Sequence, residues 1–81
     1  MKKNIIKENL FLLLKEVFEI EEINLNQTMD EIPEWDSLKH IQLLSAIEGK
    51  FNIEIDFEKS ISMVDVKSIL ELVTQKLIKL N

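Results

Sequence analysis

The chain has 81 residues, enough for one domain and too few for two. It carries 15 acidic and 10 basic residues, the latter all lysine, for a formal net charge of −5 at pH 7; it therefore lacks the guanidinium clamps and positive field that nucleic-acid binding relies on. Cysteine is absent, which removes disulfides, thiolate metal ligands and a cysteine nucleophile.

The start, Met1-Lys2-Lys3-Asn4, is basic, but Glu8 interrupts any apolar leader and no small-residue cleavage site follows. The longest apolar run, Leu10 to Leu14, is five residues, against the ~20 that cross a bilayer. These features predict a soluble, cytoplasmic protein without stable membrane insertion. Ile6, Leu10, Leu13, Leu14 and Val17 recur at helical spacing, with Ile5, Leu12 and Phe18 alongside, and predict a first amphipathic helix. Periodicity then lapses from Glu19 to Trp35, about seventeen residues, long for a connection within a bundle. Its apolar residues Ile20, Ile23, Leu25, Met29, Ile32 and Trp35 predict a loop packed across the helices.

Leu38, Ile41, Leu44, Ile47 and Phe51 predict a second helix, with Leu38 and Ile41 on its core side and Asp36 or Ser37 as its cap. Ile53-Glu54-Ile55 alternates like a strand but has no partner strand; an extended connector pinned by its isoleucines is expected. Asp56 to Ile61 is long enough for one helical turn. Ser62-Met63-Val64-Asp65 reads as a capping box in its broader form, with Ser62 accepting from an early backbone N–H and Asp65 reaching back. Val66, Ile69, Leu70, Val73 and Leu77 predict the last helix. Gly49 and Pro33 are the only glycine and proline, and no Asn-Gly or Asp-Gly turn offers a hairpin. There is no internal repeat, so residues 1–81 are expected to form a single all-α domain.

The charge is uneven. From Glu16 to Asp36 the chain holds eight acids and no lysine, whereas residues 37–81 balance. A run of this kind keeps a protein in solution; it also offers basic partners a docking surface that raises on-rates. Asp30 to Asp36 lacks the Asp-x-Asp-x-Asp-Gly spacing of a calcium loop, and no metal site is expected.

Chemistry concentrates at Asp36-Ser37-Leu38. With Asp36 as N-cap, Ser37 is the first helical residue and its hydroxyl is free to project into solvent. Helix N-termini favour negative charge, so a phosphodiester on Ser37 Oγ would be well placed. Ser37 is not a self-activated nucleophile. His40 has no acceptor or orienting partner in the sequence, and no glycine-rich oxyanion turn accompanies it. No catalytic residue is assigned, and a small domain has little room for a deep cleft beside its core. Trp35 and His40 fall at the two positions of a hydrophobic staple, which makes Trp35 an anchor at the loop end; contact with a group attached at Ser37 or with a partner is its alternative role. Met29 and Met63 suit core filling or the wall of a cavity.

The stretch Trp35-Asp36-Ser37-Leu38-Lys39-His40-Ile41, followed by Ala46 to Ile55 with Glu48, Phe51 and Ile53-Glu54-Ile55, resembles the acyl carrier proteins. The Ser62-to-Asp65 stretch matches the capped start of that family's last helix. The resemblance runs from about residue 5 to residue 79. It implies a four-helix bundle with a long first loop and a short third helix, and helices one, two and four as the core. It implies that a separate phosphopantetheinyl transferase moves 4′-phosphopantetheine from coenzyme A, with Mg²⁺, onto Ser37, flanked by Asp36 and Leu38. The thiol of that arm would carry acyl or aminoacyl groups as thioesters. Partners would be an acyl- or aminoacyl-activating ligase and downstream acyl-using enzymes, docking near Glu31, Glu34, Trp35, Lys39, His40 and Ile41 on a monomer that catalyses nothing itself.

Fatty-acid carriers often have Gly and a small residue before Asp-Ser-Leu, where this chain has Glu34 and Trp35. Their second helix is usually acidic, where this one carries Lys39, His40 and Gln42. The Trp-Asp-Ser-Leu-x-His form looks more like stand-alone carriers of specialised pathways, including polyketide-like, peptide-synthetase-like and sugar- or cell-surface-modifying ones. The competing function is a helical interaction adaptor in which Asp36-Ser37-Leu38 is only a cap.

Overall fold

A computed structural model describes residues 3–79. In chain order it contains α1 (Lys3–Phe18), α2 (Ser37–Phe51), α3 (Phe57–Ile61) and α4 (Val66–Lys79). Among the described residues there is no strand, only an isolated antiparallel bridge between Thr28 and Asp65. One buried core joins Ile6, Leu10, Leu14 and Phe18 of α1 to Leu43, Ile47 and Phe51 of α2 and to Val66, Ile69 and Val73 of α4. This is the predicted arrangement, with the first, second and last helices supplying the apolar faces.

α1 ends because Glu19 turns into the left-handed region, φ 57°. The Ile20 N–H then reaches back to the Lys15 carbonyl at 3.1 Å and the Glu19 N–H to Glu16 at 3.3 Å, satisfying carbonyls left open at the helix end. α2 ends the same way at Asn52, φ 54°, whose N–H returns to the Glu48 carbonyl. Lys39, in the first turn of α2, donates from Nζ to the Val17 carbonyl at 3.1 Å in the last turn of α1. The start of α2 therefore lies beside the end of α1, and Lys39 covers the negative end of the α1 dipole.

The core face of α2 differs from the expected one. Leu38 and Ile41 are 64 % and 63 % exposed, while Leu43, Ile47 and Phe51 are buried. A ladder in steps of three winds back about 60° per step at 100° per residue, so positions 38 and 47 lie on opposite sides of the helix. The buried ridge runs in steps of four, as close helix packing favours.

The loop of residues 19–36 crosses the bundle as expected. Ile32 and Trp35 are buried, and Ile20, Ile23, Leu25 and Met29 pack against the core. It is also pinned through its backbone: the Met29 N–H donates to the Val64 carbonyl at 2.7 Å and the Val66 N–H to the Gln27 carbonyl at 3.0 Å. Ile53 is buried in the connector after α2, and the Glu48 carboxylate accepts from the Ile55 N–H at 2.9 Å. Thus the acid ten residues after the Asp-Ser-Leu motif ties the connector to α2.

The cap of α4 also differs from the expected box. Asp65 Oδ1 accepts from the Ser68 N–H at 2.6 Å, making Asp65 the residue that closes the helix start. Ser62 instead donates from Oγ to the Lys59 carbonyl at 2.8 Å and finishes α3. The bridge to Thr28 fixes Asp65 just before Val66 and leaves Ser62 one connector too early to reach α4.

Candidate functional site

Asp36 holds the start of α2. Its backbone is extended (φ −103°, ψ −174°) and its Oδ1 accepts from the Lys39 N–H at 2.8 Å, while its carbonyl accepts from the His40 N–H at 2.8 Å. With the cap supplied by Asp36, Ser37 is the first helical residue; it is exposed, and its hydroxyl makes no hydrogen bond among the described residues. The early backbone N–H groups of α2 converge beside it, so added negative charge there is favoured.

Trp35 sits behind this point. It is only 3 % exposed, its ring centroid lies 5.1 Å from that of Phe18, and its backbone N–H donates to Ile32 at 2.9 Å. The indole Nε1–H donates to His40 Nδ1 at 3.0 Å, with the two rings stacked at 6.0 Å and 23°. The expected staple is thus a hydrogen-bonded stack. His40 also has a partner that its sequence context did not reveal: Nε2 lies 3.0 Å from the Ser60 carbonyl. An indole only donates and a carbonyl only accepts, so the two contacts fit the tautomer with its proton on Nε2. Both nitrogens are engaged, and His40 is not poised as a base toward Ser37.

The remaining residues singled out from the sequence divide by exposure. Leu38 and Ile41 present bare apolar side chains on the exposed side of the Ser37 helix. Glu34 is exposed. Glu31 is exposed but partly occupied, since its Oε1 accepts from the Thr28 N–H at 3.0 Å. Lys39 is spent on Val17, with Glu19 4.0 Å away. Trp35 faces the core, so any contribution to docking is through the shape it gives the loop. Phe57 and Ile61 of α3, 78 % and 64 % exposed, were not legible as surface. The contact from His40 to the Ser60 carbonyl joins their helix to the first turn of α2. All eight acids from Glu16 to Asp36 are exposed.

Among the described residues no group of three or more His, Asp or Glu is arranged to hold a metal. A groove of about 630 Å³ runs between α1 and α4, lined by Lys7, Leu70, Thr74 and Ile78 among others. It includes no residue of the Ser37 surroundings. Met63 is 1 % exposed and belongs to the core, and it also borders a smaller cavity of about 270 Å³ with Ser62, Ser68 and Leu72.

No family model and no curated protein sequence matches the chain. Among solved structures it is similar to a holo acyl carrier protein from Geobacter metallireducens, determined by solution NMR. The TM-score is 0.82 at 24 % identity, over 90 % of this chain and 86 % of that one. The fold is therefore that of an acyl carrier protein: an all-α bundle with a long first loop and a short third helix.

Proposed function

We propose that the chain is a carrier whose Ser37 hydroxyl accepts a 4′-phosphopantetheine arm at a phosphopantetheinyl transferase: Ser37 Oγ bonds to the pantetheine-side phosphorus of coenzyme A, the pyrophosphate bond breaks, adenosine 3′,5′-bisphosphate leaves, and the serine proton passes to the transferase. The observation that carries this reading is the division of labour at the start of α2. Asp36 takes the capping bond, leaving the Ser37 hydroxyl exposed and uncommitted at the positive end of a 15-residue helix. A phosphodiester at that oxygen gains from the helix dipole, and the site gives the serine no means of activating itself, so the transfer needs a separate enzyme. The arm would supply the thiol that this cysteine-free chain lacks, for thioester attachment of acyl or aminoacyl groups.

The chain is then a presenter of cargo and not a catalyst. An activating ligase would load it and acyl-using enzymes would unload it. Their docking surface would combine the exposed apolar residues Leu38 and Ile41 with the acids of the preceding loop, Glu31 and Glu34 first. The likeness in fold to a holo acyl carrier protein supports the same reading.

Incubation with a phosphopantetheinyl transferase, coenzyme A and Mg²⁺, followed by intact-mass measurement, is the test. A gain of about 340 Da, lost in Ser37→Ala, is the expected outcome. No gain with several transferases, or a gain that survives Ser37→Ala, returns Asp36-Ser37-Leu38 to a plain helix cap in an interaction adaptor.

A further inference from the structure

α3 raises a packing problem. It has five residues, and four of them, Phe57, Glu58, Lys59 and Ile61, are exposed. Its one buried side chain is Ser60, whose hydroxyl is used inside the helix on the Phe57 carbonyl. Its N-cap, Asp56, makes no side-chain capping bond. Ile53 before the helix and Met63 after it are buried and hold its two ends. Among the described residues, a single hydrogen bond joins α3 itself to a distant part of the chain, that between His40 Nε2 and the Ser60 carbonyl. A helix this short has little stability of its own.

We infer that His40, as the neutral Nε2–H tautomer, is a latch that fixes α3 to the helix carrying Ser37, and so sets the position of Phe57 and Ile61 in the surface a partner meets beside the serine. This rests on the carrier reading for its consequence and on geometry for the latch itself. The ring is oriented from behind by the Trp35 indole, which is in turn held by Phe18 and by its own backbone bond to Ile32. The latch thus connects the loop, α2 and α3 through one side chain. His40 acts through α3 and does not touch the reacting oxygen; it is a positioning residue. The exposed apolar residues of the two helices it joins are then a fixed pair, Leu38 and Ile41 on α2, and a held pair, Phe57 and Ile61 on α3.

Two measurements on the full-length protein test the latch without reference to function. Nitrogen-15 shifts of the imidazole are expected to show a protonated Nε2 and a bare Nδ1; the reverse tautomer overturns the proposal. His40→Phe keeps a flat ring against Trp35 but removes both hydrogen bonds. Amide exchange at Lys59, Ser60 and Met63 is expected to quicken at least about tenfold, as for the loss of hydrogen bonds of ordinary net strength. Amides in the middle of α1 and α4 should stay within about twofold, which also shows that the variant folds. His40→Gln retains a terminal donor for the Ser60 carbonyl, and is expected to restore part of the α3 protection while leaving the Trp35 indole proton unbonded. Unchanged exchange across α3 in His40→Phe overturns the latch.

The consequence is read by transferase loading of Ser37. His40→Phe is expected to raise KM about fivefold with kcat nearly unchanged, the pattern of weakened docking. A loosened α3 with an unchanged KM overturns the positioning role. Failure of the wild-type protein to load at all would count against the carrier reading instead, and the exchange result would still decide the latch.

Discussion

The start of α4 gives a prediction that separates two readings of the same four residues. In the structure Asp65 caps α4 through Ser68, and Ser62 finishes α3. Asp65→Ala removes the capping bond, worth about 1 kcal/mol in most proteins, and the negative charge at the helix start, worth about 0.3–1 kcal/mol more. A chain of 81 residues unfolds with an entropy near ~0.17 kcal/mol/K, so each kcal/mol moves the midpoint by about 6 °C. Thermal unfolding followed by circular dichroism at pH 7 should therefore show a drop of about 8–12 °C. Asp65→Asn keeps an acceptor oxygen and loses the charge, and should fall by no more than about half of that.

The same carboxylate makes the comparison depend on pH. Hydrogen bonding from the Ser68 hydroxyl, then from the Ser68 backbone N–H, with a smaller pull from Lys67, holds Asp65 below its ordinary value; burial opposes them weakly. A group depressed on folding contributes stability that is complete above its unfolded pKa of about 3.9 and is lost as pH falls through the lower folded value. The gap in midpoint between the wild type and Asp65→Asn should thus be constant from neutral pH to about 5 and close in the acid range below 4. A midpoint for Asp65→Ala within 1 °C of wild type, or a Ser62→Ala loss equal to that of Asp65→Ala, would refute the assignment of the cap.

Glu19 occupies the left-handed region, where a side chain costs roughly 1 kcal/mol or more and glycine does not. Glu19→Gly is therefore expected to raise stability by about 0.5–1 kcal/mol in urea titration, since its 4.0 Å contact with Lys39 is surface-exposed and weak; a lower midpoint would contradict this account of the α1 terminus. Under the carrier reading, Glu34→Lys should slow loading of Ser37 by the transferase, more at low salt than at high, because exposed charges are screened over about 10 Å at 0.1 M. For Glu31 the substitution to choose is Glu31→Gln, which removes the charge and keeps an acceptor for the Thr28 N–H. Rates that ignore both changes at every salt concentration would assign the loop acids to solubility alone.

Much of the site could be read from sequence because its geometry is local. That α2 opens at Asp36-Ser37 follows from the preference of an N-terminal turn for a short polar acceptor; either residue could have been the cap, and the structure gives that role to Asp36, which makes Ser37 the first helical residue. The staple pairing of Trp35 with His40 follows from their offsets around that cap. Glu48 was visible as a motif residue, but its bond to Ile55 was not, because it depends on how the chain turns after Asn52.

Helical spacing therefore determined that this chain makes three amphipathic helices, with Asp36-Ser37 at the head of the second; the backbone at that turn made Asp36 the cap and left Ser37 free. Three things were decided by tertiary structure. Which side of α2 is buried depended on the ridge that meets α1, and this moved Leu38 and Ile41 from core to surface. Which residue caps α4 depended on a bridge to a loop 37 positions earlier, between Thr28 and Asp65. Where α3 lies depended on the burial of Ile53 and Met63 at its two ends and on one imidazole bonded to a carbonyl twenty residues away. In each case the deciding contact joins residues distant in sequence, and periodicity and capping preferences extend over only a few turns.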